Sequence, residues 1–356
     1  MKILYITNGI NGSGGLERVL SIKASYFADS LGYEVFILSL NENEIEPFYQ
    51  FSNLIRFQSI ITEGNSINYL KSYLKGIQEV VSTFNPDIIS VCDDGLKGFF
   101  LPRLIRSNAK WIYERHASIA LNTNSSLKGR LVARLMKSQV RNFDAFVVLT
   151  NSNIEEWDNR YNVICIPNPL SFNIDQKSLL NEKRIIAVGS HSLNKGYDTL
   201  IRMWKAVEED LPDWSLDVFG KIDKEKRFVS LAEKLAVKNI HFHIPVHDIK
   251  SEILKSSILV LPSRSEGFGM VLIEAMACGV PCVAFDCPSG PRDIITNGVD
   301  GFLINDQDEK SFIEQLKKLT ANEDLRLEMG IKAQDSVSKY RIEEIGEEWD
   351  NLFKSL

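Results

Sequence analysis

The sequence holds little that would tie it to a membrane span, a disulfide scaffold or a nucleic acid. No apolar run reaches the eighteen or so residues that a spanning helix needs. Its five cysteines, Cys92, Cys165, Cys278, Cys282 and Cys287, are odd in number and form no C-x-x-C, so neither a bridge framework nor a zinc site is expected. Positive charge is short as well: the net charge of −6 excludes whole-surface binding to nucleic acid and leaves any basic patch local. The opening Met1-Lys2-Ile3-Leu4-Tyr5-Ile6 runs into a strand pattern and lacks the apolar length of a signal peptide. A cytoplasmic protein with reduced thiols follows as the expectation, soluble or peripheral on the inner membrane's cytoplasmic face.

What is present suits a large α/β protein. The 356 residues exceed one ordinary domain, and 44% apolar with 25% charged residues supply ample core. Strand patterns at Lys2–Asn8 and Tyr33–Leu40 flank a helical run, Leu16–Leu31, and four glycines crowd Gly9–Gly15. This opening is similar to a dinucleotide-binding unit. However, Gly12-x-Gly14-Gly15 is not G-x-G-x-x-G, so a glycine-lined cleft wall is expected rather than a nicotinamide site. Residues 41–68 read as loop-rich, followed by a helix over Ile67–Phe84 and strands at Asp87–Cys92, Lys110–Tyr113 and Asp144–Leu149. Prolines at 167 and 169 mark a hinge, after which strand and helix alternation restarts at Arg184. The expected division is 1–168, 169–340, and a closing amphipathic helix, 341–356, able to pack back on the first domain. Strands that alternate with helices imply two Rossmann-like doubly wound parallel sheets, with ligands bound in a cleft at the strands' carboxyl ends.

The most informative stretch is Arg264-Ser265-Glu266-Gly267-Phe268-Gly269-Met270-Val271-Leu272-Ile273-Glu274. An apolar strand precedes it, two glycines bare the backbone, and a helix-forming run follows. Strand, glycine loop and helix start together point free N–H groups at an anion. Carboxylates beside such a site suit hydroxyl groups, since an ionised carboxylate accepts hydrogen bonds from neighbouring OH groups. A ligand with phosphate in its middle and a sugar at each end fits; the plainer alternative is an ordinary loop with solvated glutamates.

Glu266-Gly-Phe-Gly with Glu274 resembles the E-x7-E signature of the retaining glycosyltransferases of the GT-B fold, family four. Gly14-Gly15-Leu16-Glu17-Arg18 is similar to that family's N-terminal glycine loop. Val188-Gly189 with Lys195-Gly196 is similar to its donor-phosphate lysine motif. His116 falls where the family has an N-domain histidine, and Pro288-Ser289-Gly290-Pro291-Arg292 matches a loop of members that build bacterial surface polysaccharides. The resemblance implies transfer of a hexose or N-acetylhexosamine from a nucleotide sugar, UDP-linked, to a glycan or lipid-linked glycan, with no cofactor and no metal. Glu274 would accept the ribose hydroxyls and Glu266 those of the transferred sugar. Backbone at Gly267, Phe268, Gly269 and Met270 would meet sugar and diphosphate, and Lys195 would neutralise the leaving phosphate. Gly14, Gly15, Gly189 and Ser190 would line the donor, and His116 would approach its sugar. Ser190 stands where the family has an arginine, for which Arg18 and Arg292 are candidate stand-ins. A sugar epimerase or phosphorylase on the same fold, and a non-catalytic sugar-binding protein, are the rival readings.

Three further features stand outside that resemblance. Asp93-Asp94 ends a strand without D-x-D spacing and reads as loop carboxylates, at most acceptor contacts. His241 and His243 share a strand face, but no third ligand follows at metal-site spacing, and His247 is a candidate for the nucleotide pocket's edge. Arg130, Arg134, Lys137 and Arg141 fall on one helical stripe with no acid nearby, which suits an anionic bilayer or a lipid pyrophosphate acceptor. The same stripe is also compatible with the solvated face of a core helix.

Overall fold

The structure, a computed structural model, describes residues 1–93, 95–119, 127–157 and 162–356. Contacts divide the chain into Met1–Pro169 with Ile342–Leu356, and Leu170–Arg341. The first unit holds seven strands: β1 (Lys2–Thr7), β2 (Glu34–Leu40), β3 (Arg56–Ile60), β4 (Ile88–Cys92), β5 (Lys110–Glu114), β6 (Ala145–Val148) and β7 (Val163–Cys165). The second holds β8 (Arg184–Val188), β9 (Ser215–Phe219), β10 (Ile240–His243), β11 (Ile258–Leu261), β12 (Cys282–Asp286) and β13 (Gly301–Asn305).

Both sheets are wholly parallel. Their orders are β3-β2-β1-β4-β5-β6-β7 and β10-β9-β8-β11-β12-β13. In each, the chain builds outward on one side of the first strand, then crosses back to its other side. That reversal, between β1 and β4 or between β8 and β11, is the switch point where loops diverge and leave a crevice. Central strands such as β4 and β11 are buried throughout, as strands covered by helices on both faces must be. Among the described residues, one core gathers around Ile77, Trp111 and Phe146 and another around Trp204, Phe228 and Phe312.

Local chemistry sets the helix limits. Asn65 caps helix Ser66–Phe84 by accepting from Ile67 N and Asn68 N, and left-handed Asn85 before Pro86 ends it. The closing helix, Ile342–Ser355, belongs to the first unit, where Phe353 meets Phe27 edge-on at 5.3 Å. Its apolar side buries Ile345, Trp349, Leu352 and Phe353, each burial stabilising by about 1.5–3 kcal/mol.

Two strands escape the sequence patterns. β3, inside the stretch read as loop-rich, is an edge strand whose Arg56 and Gln58 interrupt the apolar run. β13 follows a turn and is also an edge, paired to β12 from Gly301 to Asn305.

Candidate active site

The loops that leave β8 and β11 meet at the second unit's switch point, and a web of polar contacts stitches them together. Arg264 N donates to Asn194 O at 2.8 Å, and Asn194 Nδ2 donates to Ser265 O at 2.8 Å. The Arg264 guanidinium forks onto Asp198 at 2.8 and 2.9 Å and also donates to Leu193 O. Such paired N–H···O bonds fix orientation as well as distance. Gly196, at φ +68°, sits against the Pro262 carbonyl, where a β-carbon would collide. Only glycine takes both that backbone and that approach cheaply.

This clamp places Lys195 Nζ 2.7 Å from Glu266 Oε1, with the side chains 22% and 9% exposed. The pair is therefore half-open, a cation and an acid held together where the loops after β8 and β11 meet. Behind Glu266, Ser289 Oγ donates to its carbonyl at 2.7 Å, and left-handed Gly290 (φ +96°) lies against the Phe268 carbonyl. Phe268 is buried edge-on against Tyr340 at 5.5 Å. Gly269 caps helix Met270–Ala277, whose N-terminus and free N–H groups therefore begin beside the loop. Glu274, within that helix, is fully buried and accepts from Ser171 Oγ at 2.5 Å. Glu266 is thus engaged by Lys195, and Glu274 is withdrawn from solvent. Gly189 closes β8 by donating to Phe219 O, and Ser190 beside it is exposed.

At the first unit's switch point the arrangement differs. The backbone N–H groups of Ile10 and Asn11 both donate to Glu42 Oε1 at 2.9 Å. The Glu17 carboxylate folds over Gly12 and Gly14, so a side chain on either would have to displace it. Burial, with the nearby Glu42 charge, pushes the Glu17 carboxyl up from its ordinary range. Gly15 opens helix Gly15–Asp29 and Gly14 caps it. Two turns into that helix, buried Lys23 pairs with buried Glu114 at the end of β5. His116 Nε2 lies 3.3 Å from the same Glu114 Oε2.

Some expected sites change character. Arg18 stacks over Tyr49 at 5.1 Å and donates to its hydroxyl at 3.1 Å, while Tyr49 itself donates to Ser13 O. Its visible work is to tether the glycine loop. Arg292 is exposed and bonds Asp286 at 2.7 Å. Asp93 is buried and accepts from Asn8 Nδ2 and Gly95 N, a loop brace rather than an acceptor contact; Asp94 lies outside the described residues. His243 Nε2 is 2.5 Å from Asp217 Oδ1, and His241 Nδ1 is 3.8 Å from the same atom, with Arg184 on that carboxylate's other oxygen. The acid there already serves a cation. His247 is exposed. Arg130, Arg134 and Arg141 are exposed and Lys137 half-buried, so the basic stripe does face outward. Leu131 and Leu135 are also exposed, at 68% and 42%, while Met136 and Val140 join the core.

Cys92, Glu114 and His116 offer ligand atoms within 4.8 Å of one another. They fit a metal poorly. Lys23 already compensates the Glu114 charge and occupies the carboxylate oxygen that faces His116.

Sequence reasoning missed Glu114, Lys23, Arg264 and Ser171 as members of these clusters. Glu114 and Lys23 are 91 residues apart and Ser171 and Glu274 are 103 apart, so no local pattern links them. Arg264 and Asp198 flank motifs that were recognised, and their flanking positions were the available signal.

Two parallel α/β sheets, with a glycine loop and a lysine–glutamate pair at a switch point, define a GT-B fold. A solved structure of an S. aureus TarM variant, in complex with fondaparinux, alpha-GlcNAc-glycerol and UDP, matches with TM-score 0.84 at 15% identity, over 99% of each chain. Residues 13–171 match the model for Glycosyltransferase Family 4, and 171–336 that for Glycosyl transferases group 1. An uncharacterised glycosyltransferase of Haemophilus influenzae is 32% identical over 99% of both chains. The amylovoran biosynthesis glycosyltransferase AmsD of Erwinia amylovora is 27% identical, again over 99% of both. The chain belongs to the GT-B glycosyltransferase family. Among the described residues, no helix is long and apolar enough to cross a membrane.

Proposed function

We propose that the protein is a retaining glycosyltransferase that moves a hexose or N-acetylhexosamine from a UDP-sugar to a glycan or lipid-linked glycan of a surface polysaccharide. The observation that carries this reading is the half-open Lys195–Glu266 pair beside a helix N-terminus, with Glu274 buried behind it. Cleaving a sugar–phosphate bond builds negative charge on the departing diphosphate. Preorganised donors where that charge grows supply the largest catalytic effect. Lys195 and the backbone at Gly269 and Met270 are suited to that task, with no metal required. Glu266 would exchange Lys195 for sugar hydroxyls, and Glu274 would exchange Ser171 for ribose hydroxyls. His116 takes the sugar-side role that the family motif gives it.

The relatives support the substrate class: AmsD is named for amylovoran biosynthesis, and the TarM variant was solved with UDP. The exposed Leu131 and Leu135 among Arg130, Arg134 and Arg141 favour a peripheral contact with anionic lipid, which suits a lipid-linked acceptor. A thermal-shift screen of nucleoside diphosphates tests the donor, because a ligand at one hundred times its Kd stabilises by about 2.7 kcal/mol. UDP should raise Tm in the native protein and fail to do so in Glu274→Ala. Absence of a shift with any nucleoside diphosphate would overturn the reading. Product formation in EDTA separates metal-free transfer from metal-dependent transfer. Consumption of the UDP-sugar without acceptor would instead mark an epimerase.

A further inference from the structure

His116 does not stand alone on its loop. Glu114 Oε2 lies 3.3 Å from its Nε2, an ion-pair contact, and the same carboxylate is held from two other sides. Ser90 Oγ, on the neighbouring β4, donates to Oε1 at 2.6 Å. Lys23, from helix Gly15–Asp29, pairs with Oε2, and both side chains of that pair are 2% exposed. The Lys23 ammonium in turn lies 4.1 Å from the Trp349 ring centroid and 5.3 Å from that of Tyr5. Cation–π contacts of this kind strengthen where water is excluded. Trp349 comes from the closing helix Ile342–Ser355, so residues from the two ends of the sequence converge on one carboxylate.

Two more titratable groups surround it. The Cys92 thiol stays neutral because burial and the Glu114 charge push it up. The Tyr5 phenol is raised for the same two reasons. Burial alone would raise Glu114, but Lys23 and then His116 outweigh it and hold the carboxyl down at about 2. A buried carboxylate that is charged and triply partnered is too costly to place by chance, since breaking such a pair leaves an uncompensated charge.

We infer that Glu114 is a positioning residue for His116: fixed by Lys23, Ser90 and, through Lys23, Trp349, it orients the imidazole and holds a proton on Nε2. The same logic orients histidines in other sites, where the partner of one ring nitrogen sets the role of the other. The inference rests on the proposed role of His116 only for its consequence in catalysis. The positioning itself can be read without turnover.

The test uses the full chain labelled with ¹⁵N-histidine, which contains five histidines, with His116 assigned by the His116→Gln variant. The native protein should show His116 carrying a slowly exchanging, downfield Hε2 proton. Glu114→Gln strands the Lys23 charge and threatens folding, so the decisive variant is Lys23→Met with Glu114→Leu, which removes both charges and keeps bulk. Its Hε2 signal should vanish or exchange at least tenfold faster, while UDP affinity by calorimetry stays within twofold. Ser90→Ala keeps both charges and should give a smaller change in the same direction; it decides alone if the double variant does not fold. A native His116 protonated on Nδ1, or an unchanged Hε2 signal in a folded double variant, would overturn the inference. In transfer assays, the double variant should lose at least tenfold in kcat with little change in KM. If His116→Gln transfers at the native rate, the proposed role of His116 falls, while the Hε2 result still judges Glu114.

Discussion

The two units answer the same topological question with opposite electrostatics. Each sheet reverses direction beside its first strand, and each places a lysine–glutamate pair near that switch point. In the second unit the pair, Lys195 and Glu266, is 22% and 9% exposed. In the first, Lys23 and Glu114 are 2% exposed each. A half-open pair can trade partners with a ligand at small cost. A sealed one cannot, because water does not replace what is withdrawn. The comparison teaches that the same two residue types leave an open, exchangeable pair in one unit and a sealed strut in the other.

Breaking both pairs separates the roles. The largest effect is expected from Lys23→Ala, which should destabilise the protein by about 3–5 kcal/mol in urea unfolding, as for a buried charge left unpaired. Lys195→Ala should leave stability nearly unchanged but raise the barrier to transfer by about 3–4 kcal/mol, a loss of 10²–10³ in kcat. Equal stability losses from the two variants would erase the contrast.

Acid sharpens it. The folded Glu114 carboxyl sits at about 2, below its ordinary value of 4.5, so its contribution to stability is complete above about 4.5 and drains away as pH falls toward 2. The native unfolding free energy should decline through that window. The charge-free Lys23→Met, Glu114→Leu protein should lose less over the same range.

Smaller effects lie at the edges. Replacing Arg130, Arg134 and Arg141 with Ser should weaken sedimentation with anionic liposomes by about 1 kcal/mol per residue, and salt should mimic the loss. Sedimentation that ignores both would favour a merely solvated face. Ser289→Ala removes one hydrogen bond behind Glu266, worth about 1 kcal/mol, and should show as a several-fold rise in the UDP-sugar KM.

Most of the second unit's chemistry was legible in the sequence because it is local. Glu266, the two glycines and Glu274 lie within nine residues, and Lys195-Gly196 is a short motif after a strand. The central strands were legible for the same reason, since burial on both faces demands unbroken apolar runs. The edge strand β3 was not, because Arg56 and Gln58 interrupt it, and β13 offers only three apolar residues, Phe302–Ile304, between Gly301 and Asn305. Asp93 reads as a free loop acid until Asn8 and Gly95 are seen to hold it.

The sequence by itself determined the two-sheet architecture, the glycine loops and the acids that bracket the helix start, because each is written in neighbouring residues whose backbone preferences and periodicity are short-ranged. Tertiary structure alone decided which charges meet. Lys23 finds Glu114 across 91 residues, and Trp349 closes over that lysine from the far end of the chain. Coulomb attraction and desolvation depend on distance and burial in space, and no local pattern records either.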